Sequence, residues 1–319
     1  MNPSPVFILG AHKSGTSLLR ALLDGHSELG VLPFESHFMA LLGREVTYSY
    51  RKQSAHSDAD FRLGLAALLR QYAVSDDRTA DALIGAQFDL NSAQNDCLQL
   101  DPIEDIKGAL TALEHIMTVH FPQAGTGRLV EKSVEHHEFA TDIAQAIPHA
   151  KFIHIVRNPY ANAVGLRKFK SQRRGYPYFK KVIDSIESSM ACSEQLLGLL
   201  QRNYLLVRYE DLVQEPRKIM KQVAFHINIP WEDKLLQPTS LGQPWGGNSS
   251  YGQSTAIDPS RLDSWRDEIC DFERIAISHH LFPTAESFAY TKEHKQGGFL
   301  NRAPNEPWLR YLINRAQCF

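Results

Sequence analysis

An apolar run, a glycine-bracketed loop and a helix follow one another at Pro5-Val6-Phe7-Ile8-Leu9-Gly10-Ala11-His12-Lys13-Ser14-Gly15-Thr16-Ser17-Leu18-Leu19-Arg20. That order restricts the fold more than any other stretch of the chain. Val6 to Leu9 is continuously apolar, as a strand buried on both faces of a parallel sheet must be. Gly10 and Gly15 mark places where backbone turns sharply and meets a ligand without a side chain in the way. Leu18, Leu19, Leu22 and Leu23 fall at helical spacing, so a helix starts near Gly15 and turns its first unpaired N–H groups toward the loop. That geometry binds anions, phosphate above all.

The loop departs from the nucleotide-triphosphatase pattern in one respect. A Walker A loop places lysine directly after its second glycine. Here Thr16 holds that position and the lysine comes earlier, at Lys13. From within the loop, its ammonium can lie over the bond between a nucleotide phosphate and the group that phosphate carries.

Bulk electrostatics do not direct the chain to a polyanion. Its net charge is −2, with 22% charged and 43% hydrophobic residues, so any anionic ligand must be held by local clustering and no nucleic acid is expected as partner. Cys97, Cys192, Cys270 and Cys318 have no metal-type spacing and read as reduced thiols. No apolar run approaches the ~18 residues of a membrane span. The glycine loop lies so close to Met1 that no cleavable signal peptide is expected before it, and the expected location is cytoplasmic.

Further strands are predicted at Leu29 to Leu32, Arg128 to Lys132, Lys151 to Arg157 and Tyr204 to Tyr209. Helices are expected over 34–43, from the third strand to Ile147, after Pro159, over 178–201, from Glu210 to Ile227, and near 271–281 and 305–316. Residues 44–127 read as a helical insertion, and 237–260, rich in Gly, Pro, Ser and Asn, as a lid loop. Strands alternating with helices predict an α/β fold, a doubly wound parallel sheet of about five strands flanked by helices, P-loop NTPase-like, in a single domain spanning 1–319.

With these residues in view, the stretch Pro5 to Ser17 resembles the 5′-phosphosulfate loop of the sulfotransferase family, whose members use 3′-phosphoadenosine 5′-phosphosulfate (PAPS) and no metal. The resemblance runs from residue 5 to about 290 and implies a sulfuryl transfer to an acceptor hydroxyl or amine. It places His12, Lys13, Ser14, Gly15, Thr16 and Ser17 around the donor, with the His12 side chain itself read as structural. The family holds the 3′-phosphate with R-x-P and a serine eight residues after the arginine. Arg157 and Pro159 match, but the eighth position is Gly165, which removes a hydroxyl donor. A backbone N–H, a water or a cation would have to replace it, and Arg167, Lys168, Lys170, Arg173, Arg174, Lys180 and Lys181 lie nearby in sequence. Tyr209-Glu210-Asp211-Leu212 resembles the family's Y-E-D-L turn, with Tyr209 on the adenine and the two acids capping the helix that follows. Ser249 and Ser250, ahead of Arg261 to Arg266, resemble the cofactor lid; Trp265 reads equally as a core anchor.

Lys13 is expected to stabilise the leaving group. Glu35 is the first candidate base, since it follows the second strand at the loop's edge of the sheet and a glutamate at the matching place serves protein-tyrosine and several carbohydrate sulfotransferases. Its apolar neighbours Leu32, Pro33 and Phe34 would raise its pKa toward the working range. His37 comes second, and His136 or His137 third. The acceptor is open among carbohydrate, lipid, peptide and small metabolite. The competing readings are a P-loop kinase or nucleotide hydrolase, which would need Mg²⁺, and a non-catalytic nucleotide-binding protein.

Overall fold

A computed structural model describes residues 4–47, 60–74, 88–247, 256–293 and 306–319. Five parallel strands form the sheet: β1 (Val6–Gly10), β2 (Leu29–Val31), β3 (Arg128–Lys132), β4 (Lys151–Val156) and β5 (Tyr204–Arg208), in the spatial order β2-β3-β1-β4-β5. The chain leaves β1 for the far edge at β2, returns through β3, and only then crosses to β4. Chain direction therefore reverses at β1, the switch point where open α/β sheets bind ligands beyond the carboxyl ends of their strands. The doubly wound parallel sheet read from the sequence is the fold observed.

Helices cover both faces because every residue of β1 is buried and its side chains alternate. Val6 and Ile8 join an apolar cluster with α1 (Thr16–Leu23), whose Leu19, Leu22 and Leu23 point inward. Phe7 and Leu9 face the other way. On that side lie α2 (Phe38–Leu41), α3 (Phe61–Val74), α4 (Leu90–Gln99) and α5 (Ile106–His120), which contribute Phe38, Leu65, Leu69, Cys97, Leu113 and Ile116. Phe7 stacks on Phe152 with ring centroids 5.4 Å apart. The stretch read as a helical insertion thus supplies much of one core face. After β3 come a 3₁₀ turn (Val134–Phe139) and α6 (Ala140–Ala146), then α7 (Pro159–Arg174) and α8 (Phe179–Leu200) around β4. The expected helix from Glu210 to Ile227 breaks at Pro216 into α9 (Tyr209–Gln214) and α10 (Pro216–Ile227), since proline lacks the N–H that would continue the ladder.

Of the lid loop, the described part holds a two-stranded antiparallel ribbon, Thr239–Ser240 with Gln243–Pro244. The C-terminal helices α11 (Asp271–His280), α12 (Phe282–Ala285) and α13 (Trp308–Cys318) pack with α7 and α8 in a third apolar cluster. Trp265 belongs there: it is buried and stacks on Tyr160 at 5.1 Å, the core anchor of the two readings. The helix expected over 34–43 is confined to Phe38–Leu41, because His37 adopts a left-handed backbone (φ 50°) and cannot continue a helical turn. Among the described residues, no helix is long and apolar enough to cross a membrane.

One buried carboxylate ties β3 to the chain after β2. Glu131, fully buried, accepts from the hydroxyls of Ser36 (2.7 Å) and Ser133 (2.6 Å) and from His136 Nδ1 (2.8 Å). Burial alone would push Glu131 up and His136 down. Their mutual attraction and the hydroxyl donors outweigh it, so Glu131 titrates lower and His136 higher than usual. The elevated imidazole stabilises the fold fully below about 6.5 and loses its effect as pH rises through its folded value. The depressed carboxylate does so above about 4.5 and loses it as pH falls through its own. The pair's contribution is therefore largest between those limits. Melting temperature measured across pH should show a shoulder there that Glu131→Gln flattens on both sides. Glu131→Ala should cost about 3–5 kcal/mol, the usual consequence of stranding one member of a buried pair.

Candidate active site

Parallel register brings the ends of the strands to one edge. Gly10 lies opposite Ile155, Ile8 opposite Lys132 and Val156 opposite Arg208, so the segments after β1, β2, β3, β4 and β5 emerge together. Nearly all the residues singled out from the sequence sit on these segments.

The loop after β1 is tightly enclosed. A Cβ on Gly10 would lie 2.6 Å from the Ile155 carbonyl oxygen, and one on Gly15 would lie 2.4 Å from the Tyr209 ring. Gly15 (φ 113°) is also the N-cap of α1, with no side-chain cap and no acid in the first turn, which leaves the amides of that turn to another acceptor. Two carbonyls of the loop are taken from behind: Arg157 Nη1 donates to Lys13 O (2.9 Å) and the Asn162 amide to His12 O (2.6 Å). Lys13 is held at φ 64° with its ammonium 4.3 Å from the centre of the Phe169 ring.

The Ser14 hydroxyl and Arg157 Nε are both enclosed and have no hydrogen-bond partner in the protein. An anion with several acceptor oxygens suits these donors together with the helix amides. The Arg157 guanidinium lies 4.4 Å over the Tyr209 ring, which in turn packs on Gly15. Gly165 faces the same place, for a Cβ there would stand 3.7 Å from Lys13 Cβ and 3.9 Å from Arg157 Nη1, both ordinary van der Waals contacts. Thr16 is buried beside the loop. Ser249 and Ser250 lie outside the described residues.

Three of the cations after Arg157 are engaged elsewhere. Arg167 pairs with Glu273 at 3.0 Å, Lys168 with Glu268 at 2.5 Å, and Lys180 with Asp184. Glu210 does not cap its own helix as expected. It accepts the Asn158 N–H (2.9 Å) and the Tyr290 hydroxyl (2.7 Å), fixing the turn that carries Arg157.

Across the switch point, Glu35 meets the Lys132 ammonium at the end of β3. The apolar setting expected for Glu35 is thus replaced by a cation on one carboxylate oxygen, because Phe34 turns away into the core beside Tyr72 and Phe121. His37 Nδ1 bonds to Glu135, and its Nε2 stands 3.9 Å from Glu35 Oε2. Among the described residues, Glu35, His37 and Glu135 are the group whose ligating atoms, within 4.8 Å of one another, come near enough for a cation. His136 and His137, third in order as bases, are buried. The first is bound to Glu131, and the second to the Val134 carbonyl and Ser188.

Lys132, Glu131 and Glu135 are not singled out by the sequence, and Glu210 is read there only as a helix cap. Lys132 carries a usable signal, a cation at the last position of a parallel strand, at the edge where open α/β sheets bind ligands. Glu131 and Glu135 carry none, since each reaches a segment remote in the chain.

Comparison with known proteins places this geometry. The model of the sulfotransferase family matches residues 5–233, most of the chain. A protein of Aquifex aeolicus is 23% identical over 272 residues, covering 82% of this chain and 30% of its own length. Protein-tyrosine sulfotransferase A of Caenorhabditis elegans is 23% identical over 285 residues, covering 85% of this chain and 64% of its own. The chain thus spans less than two thirds of these relatives. Among solved structures, the sulfotransferase domain from the curacin biosynthetic pathway aligns with TM-score 0.57 and 20% identity over 91% of this chain and 99% of that one. The sulfotransferase domain of the Synechococcus PCC 7002 olefin synthase aligns with TM-score 0.57 and 23% identity over 91% and 96%. The chain belongs to the sulfotransferase family.

Proposed function

We propose that the chain transfers a sulfuryl group from PAPS to an acceptor hydroxyl or amine, without a metal, as one sulfotransferase unit over 1–319 with 237–260 as lid. The observation that supports this reading is the pair of enclosed, unpartnered donors on Ser14 and Arg157 at the β1–α1 turn, with Lys13 next to Ser14 in sequence and its carbonyl bonded to Arg157. The loop amides, Lys13, Ser14, Thr16 and Ser17 would hold the 5′-phosphosulfate. Arg157, with Gly165 beside it, would hold the 3′-phosphate, and Tyr209 would contact the adenine.

Lys13 would neutralise charge that grows on the bridging oxygen as the S–O bond breaks. Glu35 would remove the acceptor proton, with Lys132 orienting the carboxylate. The kinase reading needs a lysine after the second glycine, where Thr16 stands. Carbohydrate, lipid, peptide and small-metabolite acceptors are separated by screening each class with ³⁵S-labelled PAPS. Melting-temperature shifts with 3′-phosphoadenosine 5′-phosphate (PAP) against ATP plus Mg²⁺ test the donor: a shift with ATP–Mg²⁺ alone would overturn it.

Three substitutions probe the parts. Lys13→Ala should lower turnover about 10²- to 10³-fold while PAP affinity changes much less, as steady-state kinetics beside calorimetry would show. Arg157→Ala should weaken PAP binding about 10- to 100-fold by calorimetry, the loss of one or two charge-assisted hydrogen bonds. Gly165→Ser should fold normally, since its Cβ meets nothing closer than 3.7 Å, and should tighten PAP binding about 2- to 10-fold by restoring a hydroxyl donor.

A further inference from the structure

Resting on the reading above, we propose that Glu135 is a positioning residue: it fixes the His37 ring so that Nε2 receives the acceptor's proton from Glu35. The juxtaposition is built from three segments. Glu135, 1% exposed, lies in the 3₁₀ turn after β3 and accepts from His37 Nδ1. With Nδ1 donating, the neutral ring carries its lone pair on Nε2, the atom 3.9 Å from Glu35 Oε2. The other Glu35 oxygen is held by Lys132, so the carboxylate is fixed on one side and has Oε2 on the side of His37.

The turn is held in a conformation that a residue other than glycine rarely adopts. His37 sits at φ 50°, and the strain is sustained from both flanks. Its own N–H donates to Ser133 Oγ at 3.0 Å, and the preceding Ser36 hydroxyl donates to the buried Glu131. Ser133 donates in turn to Glu131, so the segment bearing Glu35 and His37 is fastened to the segment bearing Glu135. A surface ion pair would need no such support. Side-chain exposure of 15% leaves His37 an edge open to water.

The step balances. The acceptor O–H bond breaks and its proton goes to Glu35 Oε2. The acceptor oxygen bonds to sulfur as the bridging S–O bond breaks, its electron pair going to the 5′-phosphate oxygen beside Lys13. Glu35 then passes the proton to His37 Nε2 after an approach of about 1 Å, to hydrogen-bonding distance. The resulting imidazolium donates to Glu135 and Glu35 and releases the proton to water. The products are sulfated acceptor, PAP and one proton, with Glu35 ready again.

The test reads His37 first without substrate. Ring ¹⁵N spectra, assigned by loss of the signal in His37→Gln, should show the Nδ1–H tautomer of the neutral ring in the wild-type chain and a mixture in Glu135→Gln. A dominant Nε2–H tautomer in the wild type overturns the proposal, whatever becomes of the donor reading. Turnover is then followed as release of labelled sulfate from PAPS with water as acceptor. Glu135→Gln should lower kcat about 10- to 100-fold at unchanged PAP affinity, the scale on which residues behind a functional imidazole act, and Glu135→Asp should recover part of it. Wild-type kcat in Glu135→Gln, with its melting temperature unchanged, overturns the relay. Failure of the wild-type chain to bind PAP would instead sink the donor reading and leave the tautomer to decide the geometry.

Discussion

Two positions in the β1–α1 loop have no room for a Cβ, and the rest of the site is arranged around that restriction. Gly10 presses on the β4 carbonyl of Ile155, and Gly15 on the Tyr209 ring at the start of α9. With no side chain on either glycine, β4 and the start of α9 close directly against the loop. Arg157 and Asn162 then take its carbonyls, while the first-turn amides of α1 have no side-chain cap. A loop held from behind in this way offers its donors without reorganising, which is how fixed dipoles stabilise developing charge most effectively.

The second half of the site depends on buried charge. Glu131 is deep in the sheet opposite Phe7, where an unpaired carboxylate would be strongly destabilising. His136 and two serine hydroxyls compensate it, and those serines belong to the segments that carry Glu35, His37 and Glu135. The core network and the Glu35–His37–Glu135 group are thus one connected structure. Glu210 acts similarly on the other side of β1, tying the Arg157 turn to Tyr290 near the C-terminal helices.

Much of the fold was legible because its signals are local. Continuous apolar runs gave the strands, and Pro159 after Asn158 marked the start of α7. Errors came where tertiary contacts overrode local pattern. The helix after Phe34 failed at His37, whose left-handed backbone is imposed by Ser133 and Glu135 rather than by its neighbours in sequence. The basic run on α7 offers a cation as one of three replacements for the missing serine hydroxyl, yet Glu268 and Glu273, about a hundred residues away, engage two of its cations.

The sequence by itself determined the parallel sheet and the strand–loop–helix form of the first turn, because strand periodicity, glycine freedom and helical spacing all operate within a few residues. It also singled out Lys13 by its place in the first loop, Arg157 by its R-x-P resemblance and Glu35 by its place after the second strand. Only the tertiary structure decided that Glu35 faces Lys132, that His37 is backed by Glu135, and that Glu131 fastens both segments to the sheet. These are pairings across 95 to 98 residues of chain, set by the parallel register that aligns β2 and β3, and no local pattern encodes them.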